Sequence, residues 1–120
     1  MSKYIDGFVI PIAKDKVEEY RAIAAIAGAV WKEYGALAYV EAAGDDLAHG
    51  CGTPFTKIAG TNENETVIFS YIVYESKEHR NAVNAKVMAD PRISGMCNGE
   101  NMPFDPNRMA YGGFSAIVEI

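Results

Sequence analysis

Five side chains in this 120-residue chain combine reactive chemistry with an unusual setting. Asp6, Glu41 and Ser70 interrupt otherwise apolar segments, His79 stands near the start of a helical pattern, and Arg108 lies between a proline turn and a glycine pair. A carboxylate on a half-buried strand holds its proton more tightly than in water unless it is paired, which suits a general base. The competing role for Asp6 and Glu41 is structural, since buried carboxylates are normally satisfied by backbone amides or an arginine. Ser115 and Glu119 repeat the polar interruption in the last segment. A neutral imidazole at position 79 beside a pocket can take a proton, although a first-turn histidine also serves as a capping or packing group. Arg108 offers a planar fork to a carboxylate or enolate, and Asp105 or Asp90 could equally occupy that fork and lock the turn. Asn84, a poor helix former in mid-helix, needs a hydrogen-bond partner, for which the Met102–Phe114 loop is one candidate. Tyr39 and Trp31, with Tyr4, Phe8, Phe69, Tyr71 and Tyr74, could wall a pocket for a flat apolar ligand or simply fill the core. Asp45, Asp46, His49 and Cys51 have ligand chemistry but not the spacing of zinc sites, so no metal is assigned there. No phosphate loop, nucleophile elbow or His-Glu-x-x-His motif is present, and no cofactor is evident.

The elements that must position these groups follow from periodicity. Tyr4–Ile12 reads as a strand with Tyr4, Asp6, Phe8 and Ile10 on one side and Ile5, Gly7 and Val9 on the other. Asp15 then caps a helix over about Lys16 to Tyr34, whose stripe is Val17, Tyr20, Ala24, Ala27, Trp31 and Tyr34, widened by Ile23, Ile26 and Val30. Leu37–Ala43 is a short second strand, and residues 44–64 form a long loop without periodicity. Thr66–Tyr74 is the strongest strand, apolar on both faces. Ser76 caps a second helix reaching about Ala89, packed through Ala82, Val83, Val87 and Met88, and Asp90-Pro91 ends or kinks it. A turn through Arg92–Met96 leads to Met102–Phe114, whose two prolines make a rigid entry to a last strand, Tyr111–Ile120.

Strand, helix, strand, strand, helix, strand is the split βαβ plan of the ferredoxin-like α+β fold, one antiparallel sheet with helices on one face. A length of 120 residues allows one domain, residues 1–120. The first and third strands are apolar on both sides, so the second sheet face needs a cover, and the simplest is a second copy forming a homodimer. A net charge of −5 with eleven scattered basic residues argues against nucleic-acid and anionic-membrane partners. The first residues lack the apolar core of a secretory signal, and Cys51 and Cys97 lack a C-x-x-C spacing, which together give a cytoplasmic reading.

Several blocks carry a family resemblance: Tyr4–Pro11, Ala29–Glu41, Glu65–Ser70, His79–Pro91, Met102–Asp105 and Arg108–Phe114. In this order they resemble the YbaA-type bacterial proteins, a family of unknown function within the dimeric α+β barrel superfamily. The resemblance implies a ferredoxin-like protomer whose sheet packs on that of a twin, with any pocket kept at the sheet face between the strands and the dimer partner; it implies no activity. Pro54-Phe55-Thr56 departs from the family's Ser-Phe-Pro-like segment, and Cys51 is not part of the pattern. The expected function is binding, with conversion if enzymatic, of a small apolar, aromatic or quinone-like molecule. Asp6, His79 and Arg108 are the catalytic candidates, and Glu41, Ser70, Tyr39, Trp31 and Asn84 are the pocket candidates. The alternatives are a dimeric carrier or sensor without turnover, and a protein-interaction module using the loop 44–64.

Overall fold

Pairing in the sheet starts from β1 (Tyr4–Ala13), which runs antiparallel to both β3 (Glu65–Tyr74) and β4 (Ala110–Ser115), while β2 (Ala38–Ala43) runs antiparallel to β3. The computed structural model describes residues 2–48, 50–95 and 102–120. His49 of the loop set, Cys97 and Met96 of the expected turn lie outside them. The spatial order β2-β3-β1-β4 is that of the ferredoxin-like fold. Side chains alternate across β1, so Asp6, opposite Ile72, and Phe8, opposite Ser70, share one face, while Ile5, Gly7 and Val9 share the other.

The first face is covered by α1 (Val17–Glu33) and α3 (Lys77–Ala89), joined by the single turn α4 (Pro91–Ser94). One core cluster unites Val30, Ile72, Tyr74, Val83, Val87 and Ile93; a second unites Ile10, Ile12, Tyr20, Ala24 and Ile68. Each fully buried branched side chain contributes about 1.5–3 kcal/mol. Ser76 caps α3 by accepting from the His79 amide. Asp90 ends α3 and caps α4 through the Arg92 amide, with Pro91 at the first helical position, where its missing N–H is harmless.

The structure corrects several boundaries. Asp15 is not the α1 cap: it lies in a 3-10 turn, Lys14–Lys16, and Lys16 precedes the helix with no side-chain cap. Ile26, Ala82 and Met88 face solvent, because the sheet accepts a narrower helical stripe than their apolar character suggests. The loop 44–64 contains a short helix, α2 (Phe55–Ala59), which packs against β1 and β3 on the second face, with Phe55 edge-on to Phe69. The last strand stops at Ser115, leaving Ile117 95% exposed.

Gly113 has a packing reason. A Cβ there would meet the Tyr4 ring at 2.7 Å, so the glycine lets that ring cross β4 opposite Asp6. Pro106–Arg108 forms a 3-10 turn capped by Asp105. Arg108 turns away from both expected partners. It donates to the Glu65 carboxylate at 2.7 and 3.0 Å and to the Gly60 carbonyl at 3.0 Å, fastening the end of the long loop to the proline turn.

This fastening makes an acid-stability prediction. Arg108, with help from the Asn62 amide, lowers the Glu65 carboxyl from 4.5 to about 2. A lowered folded value means the contribution is present above pH 4.5 and is lost as pH falls toward about 2. Arg108→Gln is therefore expected to lower the melting temperature near neutrality, with the gap from the native protein closing across that window. Thermal melts from pH 7 to 2 check it, and a constant gap would remove the pair from the account.

Candidate functional site

A cavity of about 150 Å³ lies between the sheet and α1. Phe8, Ile72 and Ser70 form its floor, and Ala24, Ala27 and Trp31 its helical wall. Met102, Phe104 and Met109 close the third side, so the proline motif supplies apolar wall rather than reactive groups. A space of about this volume is the size of a single benzene-sized ring.

Its polar end is built from three side chains on two elements. Tyr20 of α1 donates to Glu41 Oε1 at 2.7 Å, and Tyr39 of β2 donates to Glu41 Oε2 at 2.7 Å. Burial first, and then the Glu41 carboxylate, push both phenols well above their ordinary pKa, so both stay protonated donors. The same three residues also line a wider cleft of about 450 Å³ between α1 and β2, making the clamp a shared wall. Trp31 presents its ring to the cavity, since its N–H is engaged with Tyr74 Oη at 3.1 Å and Asn84 Oδ1 at 3.0 Å.

Gly28 holds this geometry by having no side chain. A Cβ there would lie 2.7 and 2.8 Å from two atoms of the Tyr39 ring. Gly28→Ala is expected to displace that ring, loosen the Glu41 clamp and destabilise the fold by about 1–3 kcal/mol. Urea denaturation checks it, and an unchanged midpoint would mean that Tyr39 is not held as described.

Asp6 belongs to a neighbouring network. Only 5% exposed, it accepts from Arg80 Nη1 at 3.2 Å, while Arg80 also donates to Tyr4 Oη at 3.3 Å and stacks over the Tyr4 ring. Burial raises the Asp6 pKa, and the opposing pull of Arg80, Asn84 and Tyr74 does not overcome it. Asn84 is turned to Trp31 and Tyr74 rather than to the proline loop. His79 lies beside this network, edge-on to Tyr74, with Nδ1 accepting from the Glu75 amide at 3.0 Å. Arg108 is at the other end of β3, since Glu65 and Ile72, the partner of Asp6, are seven residues or roughly 23 Å apart. Asp6, His79 and Arg108 are therefore not one constellation, and none of them lines the cavity. Glu41, Ser70, Tyr39 and Trp31 do line it, and Asn84 supports it through Trp31.

Tyr20 and Arg80 are absent from the candidates that reactive chemistry alone selects, although the sequence carries a signal for each. Tyr20 stands in the helical stripe, where a hydroxyl on a buried face needs a partner. Arg80 is three residues before Val83 and seven before Val87, which places a cation on the buried stripe of α3.

The fold and cavity define the class, a ferredoxin-like α+β domain with an apolar space beneath its sheet. An uncharacterized NIPSNAP domain protein from Burkholderia xenovorans shares that fold. At 15% identity it covers 92% of this chain and 91% of its own, with a TM-score of 0.54. The chain belongs to the YbaA-type family described as "Protein of unknown function (DUF1428)", whose model matches residues 3–106. It is 48% identical over 117 residues to the uncharacterized protein YbaA of Escherichia coli strain K12, covering 98% of each chain. The YbaA of Shigella flexneri matches equally.

Proposed function

We propose that this protein binds a small apolar or aromatic molecule in the cavity between the sheet and α1, and that it works as a homodimer joined through the second sheet face. The cavity carries the binding reading: an apolar wall with a few convergent polar groups is the common form of a small-molecule site. Glu41 is the carboxylate on its wall, so any conversion of the ligand would pass that residue before Asp6, His79 or Arg108.

The dimer reading rests on the opposite face. Ile5, Val9, Phe69, Tyr71, Val73 and Phe114 line an open apolar trough of about 610 Å³, with Phe69 46% and Phe114 60% exposed. A trough of this composition is unusual on a free monomer surface.

Neutral one-ring compounds such as toluene or indole test the binding reading by thermal shift. A saturable rise in melting temperature is expected, corresponding to about 2.7 kcal/mol at a hundred times Kd. Ala27→Leu, which fills the cavity from α1, is expected to abolish the rise. No shift with any such compound, or a shift that survives Ala27→Leu, would overturn the assignment.

A further inference from the structure

We infer that the cavity selects ligands carrying a protonated amine, which Glu41 and the surrounding aromatic faces receive. This inference rests on the binding reading above and adds the chemistry of the ligand. It follows from counting protons. Tyr20 and Tyr39 each have one hydroxyl proton, and both are spent on Glu41 at 2.7 Å. What these three groups still offer are oxygen lone pairs, on the two phenols and on both carboxylate oxygens. The Trp31 N–H is likewise committed, to Tyr74 and Asn84. Among the described lining residues, only Ser70, cross-strand from Glu41, retains a side-chain proton to give.

A ligand anion would meet that acceptor-only end with almost no donor and with one negative charge already present. An ammonium group meets the reverse: several acceptors, a carboxylate, and a wall that holds the aromatic side chains of Phe8, Tyr20, Trp31, Tyr39 and Phe104, a residue class that attracts cations. Arg21 and Lys32 do not compete for this place. They line the outer cleft, where Arg21 is paired with Glu18 at 2.9 Å and Lys32 donates to the Leu37 carbonyl at 3.0 Å. The chain's net charge of −5 also favours approach of a cation. Volume limits the body of the ligand to about one ring.

Trp31 is the chain's single tryptophan and lies on the cavity wall, so its emission reports occupancy directly. The test titrates the full chain with benzylammonium, benzyl alcohol and benzoate, three probes of one shape and different charge. Benzylammonium is expected to bind at least about tenfold more tightly than the alcohol, with benzoate weakest. Glu41→Gln is expected to bring the first two within about twofold. Equal binding of amine and alcohol, tighter binding of benzoate, or a preference that survives Glu41→Gln would overturn the amine inference while leaving the cavity as a binding site. No response to any of the three would overturn both.

Discussion

Arg80→Met is expected to destabilise the protein by about 3 kcal/mol at neutral pH. Arg80 is the cation that faces Asp6, and the Asp6 side chain is only 7% exposed. Removing it leaves a carboxylate desolvated and unpaired, held among the described residues by Asn84 and Tyr74. The pH dependence has a definite sign. The folded pKa of Asp6 is already above its ordinary 3.8, so stability from its protonated form is full below 3.8 and lost as pH rises through the folded value. Without Arg80 that folded value rises further, and the variant is expected to recover stability in mild acid relative to the native protein. Asp6→Asn in the Arg80→Met background is expected to restore most of the loss at neutral pH, since the amide needs no counter-charge. Buried Arg80 Nε has no partner among the described residues, so replacing both members with apolar groups is expected to be close to neutral. Denaturant melts of the two single variants and the double variant check the cycle. Additive losses would show that Arg80 and Asp6 do not support each other.

Tyr71→Glu is expected to weaken self-association by at least about 100-fold, or about 2.7 kcal/mol, while leaving each protomer folded. Tyr71 stands near the middle of the second sheet face, between Gly7 of β1 and Val40 of β2. Its side chain is half-buried in the single chain, so a carboxylate there still reaches water in a monomer. Between two apposed sheets the same carboxylate would be stripped of water with no partner cation in the trough, whose lining residues are all uncharged. Analytical ultracentrifugation over a concentration series reads the change. An unaltered dimer would place the interface elsewhere on the molecule.

How much of this was legible in the sequence depends on the range of the interaction. The apolar runs Tyr4–Ile12 and Thr66–Tyr74 mark strands by their β-branched and aromatic content, and the strands are where those runs place them. The site was legible only in part. Glu41, Ser70, Tyr39 and Trp31 stand out as polar or aromatic positions on strands and a helix, and register brings Glu41 opposite Ser70. The Glu65–Arg108 pair, 43 residues apart, has no local signature, and the two aspartates that sequence offers to Arg108 are engaged elsewhere, Asp105 as the cap of Pro106–Arg108 and Asp90 with Arg92. Met102, Phe104 and Met109 lie in a segment without periodicity, so nothing in their spacing shows that they wall a cavity. Asp15 precedes an apolar stripe as a cap does, but the backbone enters α1 through a 3-10 turn and spends Asp15 one turn early.

The measurement that bears most directly on a homodimer with an occupied cavity is a native mass spectrum of the protein as purified. The expected result is a species at twice the 13.0 kDa chain mass carrying a small adduct, lost when Ala27→Leu fills the cavity. A bare 13.0 kDa monomer, with no adduct before or after addition of a one-ring amine, would contradict both the covered sheet face and the ligand-binding cavity.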